Sequence, residues 1–447
     1  MGNEKIYHET YRPQFHFTAK KNWLNDPNGL MYYKGEYHLF FQHNPTGVDW
    51  GNMTWGHAVS PDMIHWKQLD NAIEPDELGT IFSGSGVVDW KNTAGFKSGD
   101  EAVMVCIYTS AGDCVTPKVP FTQSIAYSND SGRTWVKYAN NPVLGHIIGS
   151  NRDPKVIWHV PTEKWIMALF LDGNDYALFS SPDLKEWTRI CDVHLPDAGE
   201  CPDIFELPVD GDPENTKWVF WGGNDNYYVG TFDGRKFTPE SEVLRTEFGA
   251  NCYAAQTWSD IPKYDSRRIQ IAWMSGGKYP DMPFNQQMCF PCKLMLKTTP
   301  EGIRLFRQPI REIENLHQKE HHWNNETIKS EENLLSGDLF GIRAEFELGK
   351  ATEFGFVVRG EKVQYKVADN QLSCLGRSAT LKPIGDKIRL QILVDRTSIE
   401  VFGNYGRISL SSCFLPNLDN KNLGVYADGG DAKIASMDIF ELRSAWD

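Results

Sequence analysis

Long hydrophobic runs are absent from the 447 residues of this chain. No apolar stretch approaches the ~20 residues that a membrane-spanning helix requires. The first five residues, Met-Gly-Asn-Glu-Lys, also lack the apolar core of a signal peptide. The sequence therefore predicts no membrane span. It predicts a cytoplasmic protein, or a secreted or periplasmic one if a signal peptide has been removed.

Positive charge is also scarce. The 45 Lys and Arg residues face 59 Asp and Glu residues, which gives a formal net charge of −14. Nucleic acids and anionic membranes are bound by basic surfaces, so neither is expected as a partner. A neutral or cationic ligand is compatible with this charge.

Cysteine and histidine give no sign of a disulfide framework or a metal centre. The nine cysteines are an odd number in a long chain. Cys289 and Cys292 form a Cys-x-x-Cys pair, but no second pair or nearby histidine accompanies them. Buried free thiols are therefore expected there, and neither a metal nor a cofactor is predicted.

Aromatic residues are abundant, and some of them belong to a repeated turn. Aromatics make up 13% of the chain, with 15 Trp, and such residues suit wide β-surfaces and stacking on sugar rings. A Ser-x-Asp turn followed by Trp occurs at residues 60–66, 128–135 and 181–187, and residues 231–237 form a degraded fourth copy. A spacing of about 50 to 70 residues between such turns is typical of a β-propeller with about four strands per blade. The alternative is a set of unrelated hairpins that share common turn residues.

Each blade should also contain an inner strand upstream of its turn. Candidate inner strands begin at or near residues 26, 83, 153, 201 and 253, which repeats the same spacing. This pattern predicts five blades over roughly residues 15–300. Because inner strands line the central channel, their starts converge at one mouth. Distant residues should therefore meet there: Asp26, Ser83, Arg152, Asp153 and Glu200.

The composition changes after residue 300. Residues 307–317 predict a short helix or linker, and alternating strands follow without the repeated turn, at residues 340–348, 354–359, 388–394, 398–402 and 408–413. Closely spaced alternating strands favour a β-sandwich, which we expect to pack against the propeller. The predicted fold is all-β, with a five-bladed propeller in residues 1–306, a linker in 307–320 and a sandwich in 321–447.

Three acidic residues stand at the predicted strand starts. Residues 23–29, Trp-Leu-Asn-Asp-Pro-Asn-Gly, have turn chemistry, which predicts a rigid turn that fixes the direction of Asp26. Asp153 and Glu200 also precede a proline by one or two residues. Three carboxylates at one mouth cannot all ionise freely, so at least one pKa should rise, and two carboxyls with separated pKa values can cleave a glycosidic bond. The alternatives are a capped hairpin, a structural Arg152–Asp153 ion pair and an ordinary loop.

An ordered set of motifs covers nearly the whole chain. It includes Trp-Leu-Asn-Asp-Pro-Asn-Gly, Arg-Asp-Pro-Lys and Glu-Cys-Pro-Asp, within matches at residues 11–16, 23–29, 41–45, 50–57, 82–85, 152–155, 200–203, 253–258 and 393–402. With these motifs the chain resembles glycoside hydrolase family 32, which contains invertases, inulinases, levanases and other fructan β-fructosidases. The resemblance also implies a five-bladed propeller joined to a β-sandwich.

The resemblance implies roles for individual residues. Asp26 would be the nucleophile, Glu200 the acid/base, and Asp153 the group that holds fructose hydroxyls and stabilises the transition state. Further residues would shape the pocket for the terminal fructose: Asn25, Gln42, Trp50, Phe82, Ser83, Arg152 and Trp273. The alternatives are core positions for the two tryptophans and a strand-ladder role for the glutamine.

The function implied by the resemblance is a retaining glycoside hydrolase that releases terminal β-D-fructose from levan or inulin, with sucrose as a further substrate. The alternatives are an endo-acting levanase, a fructosyltransferase and a catalytically silent sugar-binding propeller. Asn251 departs from the family pattern, since many members carry an acid there, and this bears on the preference for the acceptor or leaving group. The motifs specify neither a preferred linkage nor an oligomeric state.

Overall fold

Antiparallel β-strands provide nearly all the regular structure in residues 6–447, the part of the chain that this computed structural model describes. The helices in this part are three short 3-10 segments, Gly112–Cys114, Val160–Thr162 and Arg311–Leu316. The predicted all-β class is confirmed. The N-terminal end of the predicted first domain, residues 1–5, lies outside the described residues. Within residues 6–447, none of the helices has the length and apolarity needed to span a bilayer.

The first half of the chain forms successive antiparallel sheets. The first sheet contains Asn22–Tyr33, Glu36–Asn44, Thr54–Ser60 and Lys67–Gln68. The second contains Thr80–Asp89, Val103–Ala111, Thr122–Ser128 and Val136–Lys137. The third contains Arg152–His159, Lys164–Asp172, Asp175–Ser181 and Thr188–His194. In the second and third sheets the first strand, which carries predicted site residues, lies at one edge, as expected for the inner strand of a blade.

Residues 203–309 form one ten-stranded sheet. Its first run contains Asp203–Val209, Asp212–Trp221, Asn226–Phe232, Phe237–Pro239 and Leu244–Arg245. Its second run contains Cys252–Thr257, Arg268–Met274, Gln287–Met288, Cys292–Thr299 and Gly302–Pro309. A single parallel pair, Val209 with Leu296, joins the two runs. The count of five blades stays a prediction, because this pair merges two runs into one sheet.

The first strand also closes the ring of sheets. Asn22–Tyr33 pairs in parallel with Phe284–Asn285, a short strand that lies between Arg268–Met274 and Gln287–Met288 along the chain. Further along the same strand, the Tyr32 N–H donates to the Ser259 carbonyl at 3.0 Å. The N-terminal strand is thus held by both the first and the last part of the ring, which brings its start close to the other strand starts.

The repeated turn has the same hydrogen bonds in three copies. Backbone N–H groups of the following residues donate to the carboxylate of its aspartate, which is Asp62, Asp130 or Asp183. The indole N–H of the tryptophan then donates to the carbonyl three residues earlier. In the degraded copy Asp233 accepts the same type of backbone bonds, with Phe237 in place of tryptophan. Aspartate favours such turns because its side chain satisfies local backbone donors.

Residues 317–442 form a sandwich of two six-stranded sheets. One contains His317–Ile328, Ala432–Leu442, Phe340–Glu347, Lys387–Asp395, Ser398–Gly403 and Ile408–Cys413. The other contains Glu332–Ser336, Asn422–Asp428, Glu353–Val358, Glu361–Lys366, Gln371–Cys374 and Arg377–Thr380. Their inner faces share one buried apolar core. The predicted order, a propeller followed by a sandwich, is confirmed.

The segment between the propeller and the sandwich is structured throughout. The strand Gly302–Pro309 belongs to the ten-stranded sheet, Arg311–Leu316 is a 3-10 helix, and His317–Ile328 begins the sandwich. The predicted helix or linker therefore corresponds to a single 3-10 segment between two strands. The division at 306 and 320 stays a prediction.

A buried ionic group joins the N-terminal segment to the sandwich. His16 contacts Asp395 through Nδ1 at 2.8 Å and Glu400 through Nε2 at 2.7 Å, and all three side chains are 0% exposed. Burial alone would lower the pKa of His16, but the two carboxylates outweigh it and raise the pKa to about 9. A protonated histidine thus contacts two buried acids at the interface, one through each ring nitrogen.

We expect His16→Leu to lower the free energy of unfolding by about 3–5 kcal/mol near neutral pH, because it leaves two carboxylates buried without their cation. The raised pKa of His16 means that its stabilisation is complete below about pH 6.5 and is lost as the pH rises through about 9. Urea unfolding at several pH values measures both effects. The difference in the free energy of unfolding between wild type and His16→Leu should therefore become smaller at alkaline pH.

His194→Leu is the matched control. His194 contacts Asp175 at 2.7 Å, but both side chains are more than 60% exposed. An exposed pair of this kind contributes only about 0–1 kcal/mol. Equal losses in the two variants would contradict the importance of the buried group.

Candidate active site

The starts of the inner strands meet at a cavity of about 360 Å³. All ten residues proposed from the sequence line this cavity: Asn25, Asp26, Gln42, Trp50, Phe82, Ser83, Arg152, Asp153, Glu200 and Trp273. They come from distant parts of the chain and are brought together by closure of the ring. Five further residues complete the lining: Met53, Asp113, Phe121, Ser150 and Tyr253.

Asp26 lies in a bulged strand, so the predicted turn is wrong. Residues 22–33 form one continuous strand whose register shifts between Leu24 and Pro27 and again between Asn28 and Met31. Pro27 has no N–H to donate, and the extra residues are accommodated in bulges rather than in a reversal of the chain. Gly29 has φ +55°, and a Cβ there would lie 2.4 Å from the ring of Phe40. The bulges therefore fix the direction of Asp26 within the sheet.

The carboxyl group of Asp26 is buried and held from two sides. Ser83 Oγ donates to Asp26 Oδ2 at 2.6 Å, and Asn25 Nδ2 donates to Oδ1 at 3.2 Å. Burial raises the pKa of Asp26, the Ser83 hydrogen bond opposes this, and the nearby charge of Glu200 adds to the increase. The two donors stabilise an ionised Asp26 in a site that otherwise disfavours its charge.

Asp153 has a strained backbone and the most clearly altered acidity. Its φ is +62°, a left-handed conformation that is uncommon for a residue other than glycine. The Asp153 N–H donates to Thr109 Oγ1 at 2.9 Å, and its Oδ2 accepts the Cys201 N–H at 3.2 Å. Burial, followed by the charge of Glu200, raises the pKa of Asp153 to about 8. The surroundings of Asp153 therefore disfavour its ionised form.

Glu200 is the most accessible of the three acids, with 26% of its side chain exposed against 6% for Asp153. Arg152 donates to Glu200 Oε2 through Nε at 2.9 Å and also through Nη2. Tyr253 Oη donates to Glu200 Oε1 at 2.9 Å. Both carboxyl oxygens are thus held in a defined orientation at the cavity wall.

Arg152 is the one cation among the described residues that line the cavity. Its Nε also lies 3.6 Å from Asp153 Oδ2, so the guanidinium faces two of the three carboxyls. Burial alone would lower the pKa of Arg152, but the neighbouring Asp153 and Glu200 carboxyls outweigh it and keep the pKa raised. One positive charge cannot balance three carboxylates, which agrees with the expectation that at least one carboxyl pKa rises.

Gln42 is placed to bind a ligand as well as to serve its strand. The residue is 2% exposed, and its Nε2 has no hydrogen-bond partner among the described residues. A buried donor without a partner favours a ligand hydroxyl as its acceptor. A role only in the strand ladder does not account for this free amide.

Aromatic side chains form much of the remaining wall. Trp50 is 53% exposed and meets Phe82 edge to face at 6.0 Å, so it is not a core residue. Phe82 in turn lies 5.7 Å from Phe121. Trp273 is half-buried, with its indole N–H bonded to Gln286 Oε1 at 3.0 Å and its ring 6.2 Å from Tyr253. Such rings suit the apolar faces of a sugar.

Two residues next to the acids were not selected from the sequence. Cys201 Sγ lies 3.4 Å from Asp153 Oδ2 and 3.7 Å from Asp26 Oδ2, and burial raises the pKa of this thiol well above its usual value. Tyr253 contacts Glu200 and begins the predicted fifth inner strand, so the spacing that selected the acids also indicates Tyr253. Asp113 and Phe121 lie in the connection between Val103–Ala111 and Thr122–Ser128, where no repeated signal marks them.

Asn251 lies outside the cavity lining, so its expected effect on the acceptor is not supported by its position. Its Nδ2 donates to the Ser275 carbonyl, and its Oδ1 accepts the Cys413 N–H at 2.9 Å. The second of these bonds connects the propeller with the sandwich. An amide can make this donor and acceptor pair, whereas a carboxylate has no N–H to donate.

No metal site accompanies this cavity in the described part of the chain, where no group of three or more His, Cys, Asp or Glu side chains is arranged to hold an ion. Cys289 and Cys292 are both buried free thiols. The side chains at the cavity offer the chemistry of carboxyls, one guanidinium, hydroxyls and amides.

The raised pKa of Asp153 predicts a pH-dependent stability. Below about pH 4 this carboxyl is protonated in the folded and unfolded states alike, and it contributes nothing. Between about pH 4 and the folded pKa of about 8 the unfolded chain releases the proton first, so the free energy of unfolding falls as the pH rises. Asp153→Asn lacks this loss and should raise Tm more at about pH 8.5 than at about pH 5.

Calorimetry of wild type and Asp153→Asn across this range measures the difference. Asp192→Asn is the control, because Asp192 lies on an exposed strand and pairs with Arg189. Its change in Tm should vary little over the same interval. A Tm difference for Asp153→Asn that is constant with pH would contradict the raised pKa.

Comparison with known proteins identifies the family. Residues 16–309 match the model of the glycosyl hydrolases family 32 N-terminal domain, and residues 312–441 match that of the family 32 C-terminal domain. The chain is 43% identical to a levanase of Bacillus subtilis (strain 168), over 100% of this chain and 72% of that protein. A levanase of Bacillus sp. (strain L7) is 36% identical, and the chain spans 53% of its length.

Two relatives match over almost their whole length. An extracellular exo-inulinase of Aspergillus niger is 31% identical, with 98% of this chain and 96% of that protein covered. The crystal structure of an exo-inulinase from Aspergillus awamori superposes with a TM-score of 0.89 at 30% identity, covering 98% of this chain and 100% of that one. Family models and relatives agree over both halves of the chain, which therefore belongs to family 32 of the glycosyl hydrolases.

Proposed function

We propose that the chain is a retaining β-fructosidase that releases terminal β-D-fructose from fructans such as levan and inulin, and also from sucrose. The observation that carries the proposal is the meeting of Asp26, Asp153 and Glu200 at one cavity. The names of the relatives, levanase and exo-inulinase, support a fructan as the substrate.

Asp26 is the proposed nucleophile. Ser83 and Asn25 donate to its two oxygens, which stabilises the ionised form and fixes its direction. The surroundings that disfavour ionisation of Asp153 reduce the negative charge beside Asp26, which favours the ionised form that a nucleophile needs. In the first step Asp26 attacks the anomeric carbon of the terminal fructosyl unit and forms a covalent ester.

Glu200 is the proposed acid/base. It donates a proton to the leaving glycosidic oxygen in the first step, and in the second step it accepts a proton from the water that releases fructose. Its greater exposure suits exchange of this proton with solvent. Arg152 and Tyr253 orient the carboxyl for both steps. A retaining reaction of this kind needs the carboxyls of Asp26 and Glu200 about 5–5.5 Å apart.

The remaining residues are proposed to bind the fructosyl unit. Asp153 contacts its hydroxyls and stabilises the positive charge that develops in the transition state, and Gln42 supplies its free amide. Trp50, Phe82 and Trp273 enclose the sugar. A cavity of about 360 Å³ is near the lower limit for small-molecule sites, which run from about 300 to 1,000 Å³. This size favours one chain end over the middle of a polymer, and so favours exo action over an endo-acting levanase.

A silent sugar-binding propeller and a fructosyltransferase are less favoured. A silent propeller does not require three carboxyls and a guanidinium around one cavity. In a fructosyltransferase the covalent fructosyl intermediate reacts with a sugar in preference to water. No described residue of the cavity lining indicates a site for such a sugar. We further propose export from the cytoplasm, in line with the relatives named extracellular, and the division into residues 1–306, 307–320 and 321–447.

Two variants test the assigned roles. Asp26→Ala and Glu200→Ala should each lower fructose release from levan, inulin and sucrose by several orders of magnitude, as in other enzymes that lose a catalytic group. Added azide should restore turnover of Asp26→Ala by entering the vacated space. It should restore turnover of Glu200→Ala with a β-fructofuranoside whose activated leaving group departs without an acid. With Glu200→Ala it should give the β-fructosyl azide, because azide replaces water after attack by Asp26, and with Asp26→Ala the α-azide, because azide replaces the nucleophile.

Glu214→Ala is the control, since Glu214 is exposed near the start of the strand Asp212–Trp221 and outside the cavity lining, so its loss should leave fructose release unchanged. Product configuration is read by nuclear magnetic resonance. Wild-type rates in Asp26→Ala, or azides of the opposite configurations, would contradict the assigned roles.

A further inference from the structure

A second cavity, of about 280 Å³, lies where the sandwich meets the last strand of the propeller. Its lining includes Gln308 from the strand Gly302–Pro309 and Tyr405 from the turn after Ser398–Gly403. The rest belongs mainly to three neighbouring sandwich strands, Phe340–Glu347, Lys387–Asp395 and Ala432–Leu442. It shares no residue with the cavity that holds the three acids.

Six polar side chains form a grid on one face of these three strands. Successive side chains in a strand point to opposite faces of the sheet. Ala344, Leu390 and Met437 therefore pack in the sandwich core, while the residues on either side of them lie on the opposite face. The polar grid is defined by the register pairs of Arg343 with Gln391 and Asp438, and of Glu345 with Arg389 and Ser436.

The charges of the polar grid are balanced. Arg389 pairs with Glu345, Arg343 pairs with Glu314, and Asp438 contacts His322 at 2.7 Å. A cavity with this balance offers no excess charge to an anion or a cation. Three uncharged groups at the cavity, the side chains of Gln308, Gln391 and Ser436, have no hydrogen-bond partner among the described residues. The hydrogen-bonding capacity that remains suits a neutral ligand with many hydroxyls.

Tyr405 supplies an aromatic surface beside these groups. It is 41% exposed, and its φ of +63° is a strained conformation for a bulky residue. The turn is fixed on both sides, because the Arg307 N–H donates to the Gly406 carbonyl at 2.8 Å and the Arg389 N–H donates to Asn404 Oδ1 at 2.9 Å. Arg389 lies 4.6 Å from the ring centroid. The ring is thus held at the cavity in an orientation that the local backbone does not favour.

We propose that this cavity is an accessory binding site for a segment of the fructan substrate, remote from the bond that is cleaved. The proposal rests on the proposed function, since it takes the polymer as the ligand. An exposed ring with free amides and a hydroxyl beside it matches the apolar faces and hydroxyls of a sugar chain. A solvated sheet face would account for the cross-strand ion pairs. It would not account for an exposed tyrosine held in a strained turn at the mouth of a cavity.

A second site acts by raising the local concentration of chain ends. Once one segment of a polymer is held, an end of the same molecule reaches the active site without a new encounter. Sucrose is too short to engage both sites. The accessory site therefore lowers KM for the polymer and leaves the chemical step as it is.

The test compares Tyr405→Asn and Gln391→Ala with wild type. Asparagine tolerates the left-handed backbone, so the first change removes the ring and keeps the turn. The ratio of kcat/KM on levan to kcat/KM on sucrose should fall by about three- to tenfold in each variant, the factor that corresponds to one lost aromatic or polar contact. Migration in native gels that contain levan should be less retarded for both. Leu415→Ala, an exposed sandwich residue outside the cavity, is the control.

The outcomes separate the two proposals. A wild type that cleaves levan and sucrose, with ratios and gel migration unchanged in both variants, would overturn the accessory site and leave the fructosidase intact. A wild type that cleaves neither would overturn both. A lowered ratio with lost retardation, in variants that unfold at the wild-type temperature, supports the accessory site.

Discussion

The site depends on one cation, Arg152, placed among three carboxyls. Its guanidinium binds Glu200 directly and lies 3.6 Å from Asp153, while Asp26 is held by neutral donors alone. One positive charge is therefore too little for three carboxylates. Together with burial, this excess of negative charge raises the pKa values of Asp26 and Asp153. Because burial and the neighbouring acids disfavour the ionised form of Asp153, the negative charge next to Asp26 is reduced in this small cavity.

The propeller brings the three acids together, and this arrangement destabilises the fold. Each acid belongs to or closely precedes a different inner strand, so closure of the ring sets their separation. Stability elsewhere compensates for the strained Asp153 backbone and the buried acids. The buried His16 group between the N-terminal segment and the sandwich is one such source. The sandwich thus contributes to the site indirectly, by holding the segment that leads into the strand of Asp26.

Much of this architecture follows from the sequence, and the exceptions have physical causes. Each repeated turn forms because its aspartate accepts hydrogen bonds from backbone N–H groups within a few residues. Such local bonds can be recognised in the sequence, so the spacing of the turns indicated the spacing of the strands. Residues 23–29 contain the same turn-forming types, yet pairing with Glu36–Asn44 on both sides of the bulge keeps them in a strand. The side-chain bonds of Asn251 and the cavity beside Tyr405 depend on contacts between the halves of the chain, which local sequence does not encode.

The central claim is that Asp26 attacks a fructosyl carbon whose leaving group is protonated by Glu200. Mass spectrometry of Glu200→Ala, treated with a β-fructofuranoside that carries an activated leaving group, tests it most directly. The activated group leaves without an acid, and the missing base slows hydrolysis, so a fructosyl ester should accumulate on the peptide that contains Asp26. An adduct on the peptide that contains Asp153, or release of fructose with no covalent adduct at any time, would contradict the account.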